Sequence, residues 1–108
     1  MLVCGACGDN WMKVVKSVEL GPTAADDEYA LQILSCVRCD ARAIGRYTES
    51  RRGALGSESV HHFGYPVDRG AASALLQMLN GGDHEAIRAA FAPHMDEAQR
   101  FRVVYRDG

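Results

Sequence analysis

With 108 residues, 47% of them apolar and 24% charged, the chain has the makings of one globular unit or of a small metal module with an appendage. No apolar run approaches the roughly 20 residues that cross a bilayer, and no lipidation signal marks either end, so a soluble protein without a membrane role is expected. The net charge of −2 excludes the general positive field of a nonspecific nucleic-acid binder, leaving only a local basic surface for such a ligand.

The chain begins with Cys4-Gly-Ala-Cys7, and the only other cysteines form a second Cys-x-x-Cys pair, Cys36-Val-Arg-Cys39, after 28 intervening residues. Each pair can form a tight knuckle with both sulfurs facing one ion. Four soft ligands then fill a tetrahedral shell and leave no position for water, as in a structural zinc site. The same spacing also serves an iron centre. Two disulfides are disfavoured because the first ligand is residue 4, leaving no room for a secretory signal, and a reducing, cytoplasmic location is expected. A redox Cys-x-x-Cys would call for a βαβ setting and one reactive pair rather than two matched pairs. A structural zinc contributes about 10–16 kcal/mol of apparent folding free energy in small modules, so metal removal should undo at least the N-terminal half.

Residues 11–20 alternate with period two. Met12, Val14, Val18 and Leu20 share one face, which Lys16 interrupts, and Trp11, Lys13, Val15, Ser17 and Glu19 share the other. Residues 21–28 carry Gly21-Pro22 and the acids Asp26, Asp27 and Glu28 of a solvated turn. Residues 29–35 place Tyr29, Leu31 and Ile33 on one face and lead to the second knuckle, and residues 41–47 read as a third strand. Residues 1–49 are therefore expected to form a three-stranded antiparallel ribbon.

Knuckle, long hairpin, knuckle and closing strand together resemble the zinc ribbon family, over a little under half the chain. Family knuckles often place Gly after the second Cys so that the backbone can turn left-handed. Gly8 fits, and Asp40 takes that place in the second knuckle, where aspartate is tolerated. The family spans transcription factors, polymerase subunits, ribosomal proteins and enzyme appendages, so the resemblance implies fold and metal more than function. A narrower resemblance, to transcript-cleavage factors of RNA polymerase, rests on Asp27-Glu28 lying just ahead of the strand that enters the second knuckle. It would imply an accessory catalytic factor whose carboxylates help to hold a magnesium. Ala24 and Ala25 stand where that family has Arg and Ser, and Ala43 where it has an aromatic.

From residue 38 to 52, five arginines (Arg38, Arg42, Arg46, Arg51 and Arg52) meet only Asp40 and Glu49, a local excess of +3. On a strand Arg42 and Arg46 share a face with Ile44. Arg42, Arg46, Arg51 and Arg52 are thus candidates for phosphate contact, with Tyr47 near for stacking. The other reading pairs them with Asp26, Asp27 and Glu28, or has them keep an edge strand soluble.

Residues 50–66 begin with a Gly/Ser-rich connector and continue as a loop holding His61 and His62. Neighbouring histidines on extended backbone point to opposite sides and do not readily share a metal. Residues 67–108 read as a helical hairpin and a terminal strand. Asp68 caps a first helix with an apolar stripe of Ala71, Ala72, Leu75, Leu76 and Leu79. Asp83 starts a second with Ala86, Ile87, Ala90 and Phe91, and residues 101–106 close the chain. The second helix has Arg88 as its only basic residue, which is poor equipment for a recognition helix.

The expected whole is an α+β protein: a zinc ribbon with a C-terminal helical hairpin and terminal strand. Its expected role is non-catalytic, a binding or adaptor module that contacts nucleic acid or the transcription and translation machinery. An alternative of another class is a protein-interaction or homo-oligomerisation module that uses the Leu75, Leu76 and Leu79 stripe. No nucleophile, base and orienting group assemble from these residues to suggest an enzyme.

Overall fold

A computed structural model describes residues 2–9, 11–23, 28–50 and 59–105. The described residues form strands β1 (Met12–Glu19), β2 (Glu28–Cys36), β3 (Arg42–Ser50) and β4 (Ser59–Val67). Helices α1 (Arg69–Gly81) and α2 (His84–Phe91) follow, and after two short 3-10 turns comes the two-residue strand β5 (Phe101–Arg102). The strands make one antiparallel sheet in the order β1-β2-β3-β4-β5. The first three strands fall where the period-two pattern puts them.

The sheet extends further than the sequence reading allowed. Much of the stretch read as connector and loop is strand β4, paired with β3 from Ser50↔Ser59 to Arg42↔Val67. Strand β3 is therefore the middle strand rather than an edge, and the expected three-stranded ribbon is part of a five-stranded sheet. The Gly45↔Gly64 pair in the centre and Pro66 near the end of β4 obscured the strand signal, because glycine and proline are poor indicators of extended backbone.

Strand β1 also departs from simple alternation. A bulge between Val14 and Lys16 shifts its register against β2, so Met12 pairs with Cys36 and Val14 with Leu34, whereas Lys16 pairs with Ile33 and Val18 with Leu31. Since cross-strand partners share a face, the bulge sends Met12 to one side of the sheet and Val18 to the other. Lys16, the first residue after the bulge, shares its side with Val18, so the apparent stripe is divided between the two faces.

Each side has its own core. On one face Leu20, Leu31, Ile33, Ile44 and Tyr65 pack against Ala72, Leu75 and Leu79 of α1 and Ile87 and Phe91 of α2. The side chains of Asp68 and Asp83 accept hydrogen bonds from the amides of Ala71 (2.7 Å) and Ala86 (2.8 Å), so both helices begin where expected. The leucine stripe faces this sheet: Leu75 and Leu79 are 4% and 5% exposed. Leu75 and Leu79 of the stripe read as an intersubunit surface are therefore covered by the sheet, and Leu76 is half-buried. Arg88 donates to the Leu20 carbonyl at 3.1 Å, tying α2 to the end of β1.

On the opposite face Cys4, Met12, Leu34, Cys36, Ala43 and Val103 form a second cluster, with Leu2, Ala41 and Phe101 against it. No helix of the described residues covers this side. Instead Leu2 bridges to Met12 of β1 and to Tyr105 beyond β5, while the Val3 amide donates to the Val104 carbonyl at 2.8 Å. The N-terminal segment thus shields one end of this face and brings the first knuckle against the second.

Candidate metal centre

The two knuckles are built alike. In the first, the Cys4 amide donates to the Asp9 carbonyl (2.8 Å) and the Gly8 amide to the Cys4 carbonyl (3.0 Å). In the second, the Cys36 amide donates to the Ala41 carbonyl (2.9 Å) and the Asp40 amide to the Cys36 carbonyl (3.1 Å), the same spacing in the chain. Each turn is closed by a residue in left-handed backbone, Gly8 at φ 77° and Asp40 at φ 64°. Glycine adopts that conformation without steric cost, and aspartate does so better than most side chains.

These turns aim amides at sulfur. Cys4 Sγ accepts from the amides of Ala6 (3.3 Å) and Cys7 (3.5 Å), and Cys36 Sγ accepts from that of Cys39 (3.4 Å). All four sulfurs lie within 4.8 Å of one another, with Cys4 to Cys39 at 3.5 Å and Cys7 to Cys36 at 3.8 Å. Four thiolates at about 2.3 Å from a central zinc would stand about 3.8 Å apart, so the cluster fits that ion. A disulfide needs about 2.05 Å between sulfurs, and all four cysteines are free. The cluster is a Cys-type zinc-binding motif resembling a zinc ribbon, and its donor set identifies zinc as the cofactor it supports.

Burial divides the ligands. Cys4 and Cys36 are buried in the second cluster, whereas Cys7 and Cys39 face outward. The thiols also differ in acidity. Burial pushes Cys36 up, but the amides of Cys39 and Arg38 and the neighbouring sulfurs stabilise its thiolate and bring it down to about 7. For Cys39 the Ala41 amide lowers the value, yet desolvation and hydrogen bonds with the other sulfurs prevail and raise it to about 12. A cation binds the thiolate form of cysteine, so loading the cluster is coupled to proton release.

Around the knuckles the charges are paired. Arg38 and Asp9 join the two turns at 3.4 Å. Asp40 receives Arg42 at 2.8 Å and Arg69 of α1 at 2.9 Å, and the Arg42 hydrogen bond holds its carboxyl below the ordinary range. Arg42 and Arg46 do share the helix-bearing face with Ile44, as the strand reading requires. Their partners are Asp40 and Glu97, however, the latter at 3.2 Å from Arg46. Arg51, Arg52 and Asp27 lie outside the described residues. Glu28 opens β2 opposite Glu49. His61 and His62 point to opposite faces as expected: His61 stacks on Phe63, and His62 Nε2 lies 2.7 Å from Gln32 Oε1 on the other side.

The helices leave one end of their own face uncovered. There Tyr29, Arg46, Thr48, His61, Phe63 and Arg100 line a groove of about 480 Å³. Arg100 lies 4.1 Å over the Phe63 ring, and Arg46 lies 5.8 Å from the same ring. Glu97 accepts from both arginines and from the Tyr65 hydroxyl at 3.0 Å. Desolvation works against its ionisation, but the hydroxyl and the two guanidiniums hold it below the carboxylate range. Sequence reasoning named Arg46 but missed Arg100 and Tyr29, which come from distant parts of the chain; the aromatics beside His61 were the one available hint.

Comparisons with protein-family models, with curated proteins and with solved structures find no match to this chain.

Proposed function

We propose that this small zinc-binding protein is a non-catalytic binding module whose ligand is single-stranded nucleic acid, free or within a larger nucleic-acid-handling machine. The metal is structural in this reading, because four thiolates complete a tetrahedral shell and leave no site for a reacting water. The observation that carries the proposal is the open groove of Tyr29, His61 and Phe63 with Arg46 and Arg100. Aromatic faces accept bases of any identity, and guanidiniums accept phosphate oxygens. Two arginines against Glu97 leave the groove one net positive charge among the described residues. Arg51 and Arg52 follow β3 directly in the chain. Arg42, in contrast, lines a different cleft.

The test is binding of fluorescent single- and double-stranded DNA and RNA to the zinc-loaded protein across a salt series. A variant with Arg42, Arg46, Arg51 and Arg52 changed to Glu and a Phe63→Ala variant are measured beside it. Single strands should bind more tightly than duplex, with affinity falling as salt rises. The charge variant should abolish binding, and Phe63→Ala should weaken it by about 1–3 kcal/mol, the worth of one stacked base. No binding at low salt overturns the proposal.

A further inference from the structure

The second cleft lies between β1 and α1, at the opposite end of the helix-bearing face from the groove above. It encloses about 570 Å³ and is lined by cationic and hydroxyl side chains over an apolar floor. Lys13, Ser35 and Arg42 occupy one cross-strand row through β1, β2 and β3, so an ammonium, a hydroxyl and a guanidinium stand side by side on one face. Arg69 and Ser73, four residues apart and hence on one side of α1, face them across the cleft. Ile33, Ala72 and Leu76 supply apolar lining, and Val14 and Val15 on the open edge strand are 40% and 44% exposed.

Every polar side chain lining the cleft carries hydrogen-bond donors, and three of the five are cations. Among the described residues the carboxylate paired with these cations is Asp40, which receives both Arg42 and Arg69. Lys13 makes no ion pair among the described residues. Three cations against one carboxylate leave +2, the charge that a phosphate monoester dianion neutralises. The guanidiniums are held by Asp40 at fixed positions, which lowers the ordering cost of a second anionic partner. The apolar lining selects for more than the anion, because a free phosphate would leave it in contact with water.

We infer that the cleft between β1 and α1 is a binding site for a phosphate monoester carrying an apolar body, with Lys13, Arg42 and Arg69 on the phosphate and the Ile33–Leu76 lining against the body. This site is separate from the groove assigned to nucleic acid and stands or falls independently of it.

The experiment is amide-resolved NMR titration of zinc-loaded protein with phenyl phosphate, inorganic phosphate and phenol as separate probes. Phenyl phosphate should shift the amides of Lys13, Ser35 and Ser73 and bind more tightly than either of the other two. Lys13→Gln and Arg69→Gln, both at exposed side chains, should each weaken it about tenfold, the worth of one charge-assisted hydrogen bond. Arg100→Gln, in the other groove, should leave it unchanged. Equal affinity for phenyl phosphate and inorganic phosphate, shifts confined to other parts of the molecule, or indifference to Lys13→Gln and Arg69→Gln would each overturn the inference.

Discussion

Asp40 receives the guanidinium of Arg69 at 2.9 Å, and through that contact the second metal knuckle is tied to the first residue of α1. The same carboxylate accepts from Arg42 at 2.8 Å, so one residue closes the knuckle, orients a strand side chain and anchors a helix. Such exposed pairs contribute little individually to stability. Their value here is positional, since they fix two cations on either side of the same cleft.

The backbone of Asp40 gives a direct test of knuckle geometry. At φ 64° a β-branched side chain crowds its own carbonyl, whereas glycine does not. Asp40→Val should lower the thermal midpoint of the zinc-loaded protein by about 5–10 °C, and Asp40→Gly should change it far less. Calorimetry of both variants checks this; equal losses would show that the ion pairs, not the left-handed turn, set the requirement.

Chelation should separate the two cores. Cys4 and Cys36 belong to the cluster with Met12, Leu34 and Val103, whereas the helices pack on the other face with Leu31, Ile44 and Tyr65. Stripping the metal should therefore expose the amides of Val3, Met12 and Val103 to hydrogen exchange first, with protection of Leu75 and Ile87 persisting longer. A simultaneous loss of both sets would mean that the sheet transmits the metal's stabilisation to the whole fold.

Phe101 lies over Gly64 and Gly5, its ring occupying the space that a β-carbon at Gly64 would need and coming within 2.9 Å of one at Gly5. The ring thereby packs strand β5 onto β4 and against the first knuckle. Gly64→Ala should cost about 1–3 kcal/mol by overpacking. Phe101→Leu should lose contact area by itself yet relieve part of that cost in the double variant, and chemical denaturation of the full cycle measures the coupling. Strict additivity would show that the two residues do not meet.

His62 predicts a pH dependence. Burial lowers its pKa from the ordinary value of 6.5. Above that value both folded and unfolded chains hold a neutral imidazole. As pH falls through it, the unfolded chain gains a proton that the folded chain refuses, so stability declines until the folded pKa is passed. Between about pH 7.5 and about pH 5.5 the zinc-loaded wild type should lose more stability than His62→Gln, since the metal's own proton competition is common to both. Equal slopes in urea denaturation would place His62 in a solvated setting instead.

The amino-acid sequence by itself determined what depends on local spacing. Two Cys-x-x-Cys pairs specify a four-sulfur site, since each knuckle closes within six residues through its own backbone bonds. Period-two runs marked β1 to β3, and Asp68 and Asp83 marked both helix starts, because strand alternation and capping are short-range effects. Only the tertiary structure decided which side each residue faces after the bulge at Val15, which one-dimensional alternation does not reveal. It also enrolled β4 in the sheet, turned the leucine stripe onto that sheet, and gave Arg42 and Arg46 their partners Asp40 and Glu97. Both grooves likewise combine residues from distant segments, Lys13 with Arg69 and Tyr29 with Arg100. Side chains so far apart in the chain become neighbours only when burial of the two apolar faces folds the sheet and helices together, and no local pattern encodes that meeting.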